Sequence, residues 1–327
     1  MEQIQTYRMF WKERKDGGAC LVRLYGTSPQ IHLPSKIEGR SLVEIAPYCF
    51  AKKESLTTKR DEIETIVGEE KDAAFLKELC QTSVEEVYLP DSVQKIGSYA
   101  FYNCKNLHTL QIGPALQEVG SDAFMNTLSF HWLILRCGAK ERSGIRQIVS
   151  QISSDLHVQF VRNGQIEAAL LYPEYYESYD EIAPAHLFGR QIHGEGFRAR
   201  QCIKDGKVDF AGYDAVFLQA CAGESENTLG QMALNRIKYP YMLLEKDKEM
   251  YQTYIKEHIH GISGRLVTRK SLDMLQLLYE ERLMSYTALL ECSKNAAKSG
   301  WTKGSAFVLQ CLAKERPAKE NRYDFNL

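Results

Sequence analysis

Side chains able to do chemistry gather most densely between Pro173 and Phe217. The stretch opens on Pro173-Glu174-Tyr175-Tyr176-Glu177, passes through His193-Gly194-Glu195-Gly196-Phe197-Arg198-Ala199-Arg200-Gln201-Cys202 and ends on Tyr213-Asp214-Ala215-Val216-Phe217. His193, Arg198 and Arg200 offer one imidazole and two guanidiniums, and Gly194 and Gly196 let a backbone approach closely, so the set suits an anion or a carboxylate-bearing partner. The competing reading is structural: the same cations pair internally with Glu174, Glu177 or Asp180. An enzyme site at His193, Arg198 and Arg200 is the chemical extreme of the first reading. The sequence contains no GxxxxGK(S/T) phosphate loop, GxGxxG fingerprint, GxSxG elbow or HExxH helix. Nothing commits the chain to a reaction, and the expectation is a non-enzymatic protein.

Metal chemistry has no better footing. Nine cysteines are scattered without a CxxC pair or a histidine at zinc spacing, which points to reduced, packed thiols. His258 and His260 flank a single residue, a spacing that sets them on different sides of a helix rather than on one ion. No metal and no cofactor is expected.

Charge excludes further classes. Forty-one basic side chains against 42 acidic ones leave a net charge of -1, so no global field attracts nucleic acid or an anionic membrane. No uncharged run approaches the length of a spanning helix, and Met1 to Arg8 lacks the apolar core of a signal peptide. The expected location is the cytoplasm, with a cell-surface adhesin exported by an unrecognised route as the alternative.

The elements that must position any site follow a repeat. Val87, Leu89, Val93, Ile96, Gly97, Ala100, Phe101 and Asn103 recur as Leu110, Ile112, Leu116, Val119, Gly120, Ala123, Phe124 and Asn126, an offset of 110 minus 87, or 23. Fixed-period similarity of this length means stacked units, each too small to bury its own apolar face. The array continues to Leu133 and Leu135. Upstream, Ile31-His32-Leu33-Pro34 matches Val87-Tyr88-Leu89-Pro90, and Ile45, Phe50 and Leu56 match Ile96, Phe101 and Leu107. Each position has a physical role in this reading. Pro90 ends a strand, Gly97 and Gly120 permit a turn, Ala100 and Phe101 face inward, and Asn103 and Asn126 hydrogen-bond backbone groups between coils.

The run Leu89-Pro90 through Ile96-Gly97-Ser98-Tyr99-Ala100-Phe101-Tyr102-Asn103-Cys104 resembles leucine-rich repeats of the bacterial surface-antigen, or BspA-like, type. The resemblance covers roughly residues 20–137, and the third unit departs from it with Thr127 in the place of Cys104. It implies a right-handed solenoid with a parallel sheet on one face, and relatives of this repeat type are often surface proteins. The stretch from Pro173 to Phe217 resembles a helical region of intracellular bacterial leucine-rich repeat proteins of undefined activity, which implies architecture but no chemistry.

The expected fold is therefore an α/β leucine-rich repeat solenoid over residues 1–162, with a helical insert at 57–83, followed by a mostly α-helical domain over 163–327. Ala73, Leu76, Lys77 and Cys80 set the helical spacing of the insert. Asn163-Gly164 marks the junction. Beyond it, Leu229, Met232, Ala233 and Ile237 form one helical stripe, and Pro240 opens a second helix carrying Leu244, Tyr251, Ile255 and Ile259. Three further helices, about 270–282, 286–297 and 303–314, suggest ankyrin-like pairs. A short array also needs its last coil covered, and the expectation is that the helical domain packs on it as one rigid unit, with a flexible tether in which residues 138–162 cap the array alone as the alternative.

Strand alternation locates the surface. If Leu110 and Ile112 point inward, Thr109 and Gln111 point outward, and the same register exposes Gln30, His32, Glu86, Tyr88, Trp132 and Ile134. A protein partner is expected there, anchored by Tyr88 and Trp132. Partner identity and oligomeric state are not written in the sequence.

Overall fold

The computed structural model describes residues 5–52, 61–68, 75–182 and 187–315, with the backbone alone at 180–182 and 187–188. Two compact units emerge, residues 1–224 with 241–243, and residues 225–240 with 244–327.

The first unit begins with a hairpin, β1 (Tyr7–Glu13) and β2 (Ala19–Gly26), and then winds into a solenoid of about five turns. Its first coil carries β3 (Gln30–His32), β4 (Lys36–Ile37) and β5 (Arg40–Ile45). Two strands of the insert follow, β6 (Ile63–Val67) and β7 (Lys77–Glu78). The regular coils hold β8 (Glu86–Tyr88), β9 (Lys95–Ile96), β10 (Thr109–Ile112), β11 (Glu118–Val119) and β12 (Trp132–Leu135). Helix α1 (Ile145–Val149) precedes the hairpin β13 (Leu156–Arg162) and β14 (Gln165–Tyr172). The unit closes with a two-stranded ribbon, β15 (Tyr176–Ile182) and β16 (Leu187–His193), then α2 (Gly196–Gln201), β17 (Ile203–Lys204), β18 (Lys207–Val208) and α3 (Phe210–Ala220).

The repeat places β3, β8, β10, β12 and β13 side by side in one parallel sheet, with β14 added antiparallel at its end. Register follows the repeat: Ile31 lies opposite Val87 across the insert, and at the 23-residue offset Val87 lies opposite Leu110 and Leu110 opposite Leu133. All four are fully buried. A second sheet, which the sequence did not announce, runs along the other side of the coils through β11, β9, β5, β2, β1 and β6. Phe50, Phe101 and Phe124 of successive coils, and then Phe130 of the same coil as Phe124, stack with centroids 4.9, 5.3 and 5.3 Å apart.

Two repeat positions act differently from the expectation. Gly97 and Gly120 make no special turn; a Cβ on Gly97 would lie 2.3 Å from the Pro47 nitrogen, and one on Gly120 would lie 2.3 Å from the Ser98 nitrogen. They are glycine because consecutive coils touch there. The left-handed turns fall instead on Tyr48, Tyr99 and Asp122, and on Asn103 and Asn126 at φ 62° and 63°. The two asparagine side chains bond each other, Asn126 Nδ2 donating to Asn103 Oδ1 at 2.9 Å, rather than backbone groups. Asparagine suits the site because it tolerates positive φ.

Where it is described, the insert holds no α-helix; it holds two strands and a 3-10 turn at Gln81–Ser83. Lys77 and Glu78 pair with Gly26 and Tyr25 of β2, and β6 pairs along β1. Leu79, off the expected stripe, is the buried residue, while Leu76, Lys77 and Cys80 are partly or fully exposed. Ala73 lies outside the described residues. A buried pair, Arg23 with Glu62 at 3.0 Å, and a Trp11 Nε1 bond to Thr65 Oγ1 at 2.9 Å anchor the insert to the hairpin.

Asn163 and Gly164, at φ 51° and 76°, form the two-residue turn between β13 and β14. Such turns need positive φ at both positions, which Asn-Gly supplies. The last coil is closed within residues 138–162 by α1. Gln147 Nε2 donates to the Gln117 carbonyl at 3.0 Å, and Gln151 bonds both the Gly120 carbonyl at 3.1 Å and the Ala123 amide at 2.9 Å. Two side chains four residues apart, Gln147 on α1 and Gln151 in the turn after it, thus meet backbone groups that another coil would otherwise bond.

The second unit contains α4 (Glu226–Lys238), α5 (Glu245–Glu257), α6 (Ile259–Thr268), α7 (Leu272–Glu280), α8 (Tyr286–Lys298) and α9 (Thr302–Lys314). Leu229, Met232, Ala233 and Ile237 form the expected buried stripe. Pro240 does not open α5, which starts after Leu244, and His258 breaks the expected run so that Ile259 begins α6. Ser225 and Ser285 cap α4 and α8 by accepting from the Thr228 and Ala288 amides. His258 faces Glu226 at 3.5 Å and His260 faces Glu291 at 2.7 Å, so the two imidazoles have separate partners. Among the described residues, no helix is long and apolar enough to cross a membrane, and no cluster of three metal-ligating side chains occurs.

Candidate functional site

The outward face of the parallel sheet carries two cross-strand rows. One runs Gln30, Glu86, Thr109, Trp132 and His157; the other runs His32, Tyr88, Gln111, Ile134 and Gln159. Each row forms because the coils are in register and side chains alternate along each strand. Inward neighbours such as Leu133 and Leu135 are buried, which leaves Trp132 and Ile134 on the outside.

Two aromatic stacks stand on this face. His32 lies on Tyr88 with centroids 4.2 Å apart and planes 4° from parallel. Trp132 lies on His157 at 4.4 Å and 18°. Between them Gln111 and Ile134, cross-strand neighbours, present an amide and an aliphatic side chain. Thr109 is on the expected side but only 8 % exposed, and its hydroxyl meets His108 Nδ1 at 2.9 Å.

Glu86 is the one formal charge in the two rows, and neighbours converge on it. Tyr88 Oη donates to one carboxylate oxygen, Gln30 Nε2 donates to the other at 3.2 Å, and His108 Nε2 lies 3.7 Å away. Burial, and then the bond to Glu86, pushes the Tyr88 phenol up to about 12. At neutral pH the phenol therefore keeps its proton and holds the carboxylate in place.

His157, Gln159, His108 and His131 complete the face and were absent from the sequence expectation. His108 and His131 sit one residue before β10 and β12, with ring centroids 5.9 Å apart. His157 escaped the 23-residue offset because 157 minus 132 is 25, two residues more. The strand Leu156–Arg162 itself was visible as an alternating run.

The second candidate cluster is not assembled. His193, on β16, stacks on Tyr176 at 4.5 Å and shares a bond of 2.8 Å with Ser178 Oγ. Arg198 is exposed, with Glu195 at 3.3 Å and Gln219 Oε1 at 2.6 Å. Arg200 is buried and donates to five backbone carbonyls, those of Val149, Ile152, Ser154, Pro173 and Gly196. Burial pushes it down to about 10, so it remains charged at neutral pH. Its described partners are carbonyls, not Glu174 or Glu177, and the Asp180 side chain lies outside the described residues. Gly196 permits this arrangement, since a Cβ there would lie 1.9 Å from the Pro173 oxygen.

Residues 72–142 match the family model described as BspA type leucine rich repeat region (6 copies). No curated protein and no solved structure matches the chain.

Proposed function

We propose that this chain, which carries a BspA-type leucine-rich repeat region at residues 72–142, is a protein-binding scaffold that acts by recognition rather than by turning over a substrate. The contact surface is the outer sheet face, centred on Tyr88 and Trp132. One observation carries the reading: the His32–Tyr88 and Trp132–His157 stacks hold four rings in place, with the uncharged Gln111 and Ile134 between them. Rings already ordered before binding lose little further conformational freedom, and Trp and Tyr are the side chains on which interface energy concentrates. Repeat arrays commonly serve this purpose because stacking produces an extended surface without a deep pocket.

The test begins with a partner co-purified from the native cell. Trp132→Ala is expected to weaken that complex by about 2 kcal/mol or more, roughly thirtyfold. An unchanged affinity overturns the assignment of this surface. The reading places the protein in the cytoplasm, in keeping with nine cysteines that are all thiols. A surface adhesin would use the same face, and cell fractionation separates the two.

A further inference from the structure

A cleft of the first unit lies away from the sheet face, beside α1. Three elements surround this cleft of ≈ 560 Å³: the turn after β10 (Pro114, Leu116, Gln117), the segment running into α1 (Arg142, Ser143, Arg146, Gln147), and the β17–β18 turn (Asp205, Gly206). The volume is that of a small-molecule site.

The walls are tied to one another by hydrogen bonds. Ser143 N donates to the Gly206 carbonyl at 2.9 Å, Arg146 Nη1 to the Ile203 carbonyl at 3.1 Å, and Gln147 Nε2 to the Gln117 carbonyl at 3.0 Å. Charge in the cleft is unbalanced, since its lining holds Arg142 and Arg146 but a single carboxylate, Asp205. Arg142 has no ion-pair partner among the described residues. Arg146 uses one of its five N–H groups on Ile203, leaving the others for a ligand.

We propose that this cleft binds a small oxyanion, a phosphate or carboxylate group, between the guanidiniums of Arg142 and Arg146. Planar guanidinium forks match the paired oxygens of both groups, and a pre-tied cleft holds them without reorganising. Asp205 opposes such a ligand and sets a limit on its affinity.

Calorimetric titration of the full chain with inorganic phosphate, and separately with acetate, at constant ionic strength tests the proposal and shows which oxyanion the cleft prefers. Saturable binding of either is expected, weakened about tenfold or more by Arg142→Gln. Asp205→Asn is expected to tighten binding several-fold, and Asn suits the positive φ of 50° at this position. No saturable binding of either anion, or equal affinity in Arg142→Gln and the native chain, overturns the site. Should Arg142→Gln fail to fold, Asp205→Asn decides: tightening supports the site and unchanged affinity overturns it.

Discussion

Asn103 and Gly97 show how two residues of one repeat are constrained by different physics. Asn103 sits at φ 62°, so Asn103→Ala should lose about 1–2 kcal/mol from the left-handed backbone alone. Asn103→Gly should lose less, because glycine adopts that conformation without a Cβ penalty. Equal losses in urea unfolding would assign the cost to the Asn126–Asn103 amide bond instead. Gly97→Ala is a packing change: its Cβ would press on the backbone of Ala46 and Pro47, and a loss of roughly 1–3 kcal/mol or more is expected. Thiol reactivity provides a separate check at this scale. Burial pushes Cys20 and Cys104 up to about 12, whereas Cys221 is exposed. Alkylation of the native protein at pH 8 followed by mass spectrometry should modify Cys221 and spare the other two; early labelling of Cys104 would contradict the buried coil.

At the scale of elements, α1 and the turn that follows it close the array with two glutamines. Gln147→Ala and Gln151→Ala each leave backbone groups of the last coil without a protein partner, at a cost of about 1–2 kcal/mol. Hydrogen exchange should then quicken at the Ala123 amide, and unchanged protection there in Gln151→Ala would show that the glutamine is not its bonding partner. Arg200 joins more distant pieces, because the carbonyls it binds belong to the end of α1, the loop after it, Pro173 at the end of β14 and the start of α2. Arg200→Met buries those carbonyls unsatisfied and should cost about 3 kcal/mol or more. Arg200→Lys should recover little, since one ammonium cannot reproduce the fork.

The second unit, considered whole, has an acid limit. The Arg265 hydrogen bond holds Glu226 below its ordinary 4.5, and the Lys238 hydrogen bond holds Asp273 below its ordinary 3.8. A carboxylate whose folded pKa is depressed binds fewer protons folded than unfolded, so its stabilisation is complete above the unfolded pKa. It is lost as pH falls through the folded value. Chemical unfolding followed by helical circular dichroism should therefore be level between pH 5 and 7 in this contribution and weaken below about pH 4.5. The double variant Glu226→Gln, Asp273→Asn should be less stable at pH 7 and fall less steeply with acid. A parallel fall in both proteins would remove these two carboxylates as the cause.

What the sequence determined by itself was whatever depends on period and alternation. The 23-residue offset aligned Val87 with Leu110 and Leu133, and the period of two put Tyr88 and Trp132 on the outer face, because both follow from local backbone geometry repeated along the chain. The stripe from Leu229 to Ile237 was legible for the same reason. Tertiary structure alone decided matters that turn on residues distant in the chain. Arg200 looked like an anion ligand, yet carbonyls of Ile152 and Pro173 claim it; Lys77 and Glu78 looked helical, yet β2 offered them a strand partner. His157 joined Trp132 only because β13 enters the sheet after an interval two residues longer than the repeat. A spacing states which residues share a face, but a buried donor or strand edge bonds whatever the folded chain brings within reach, and those contacts are not periodic.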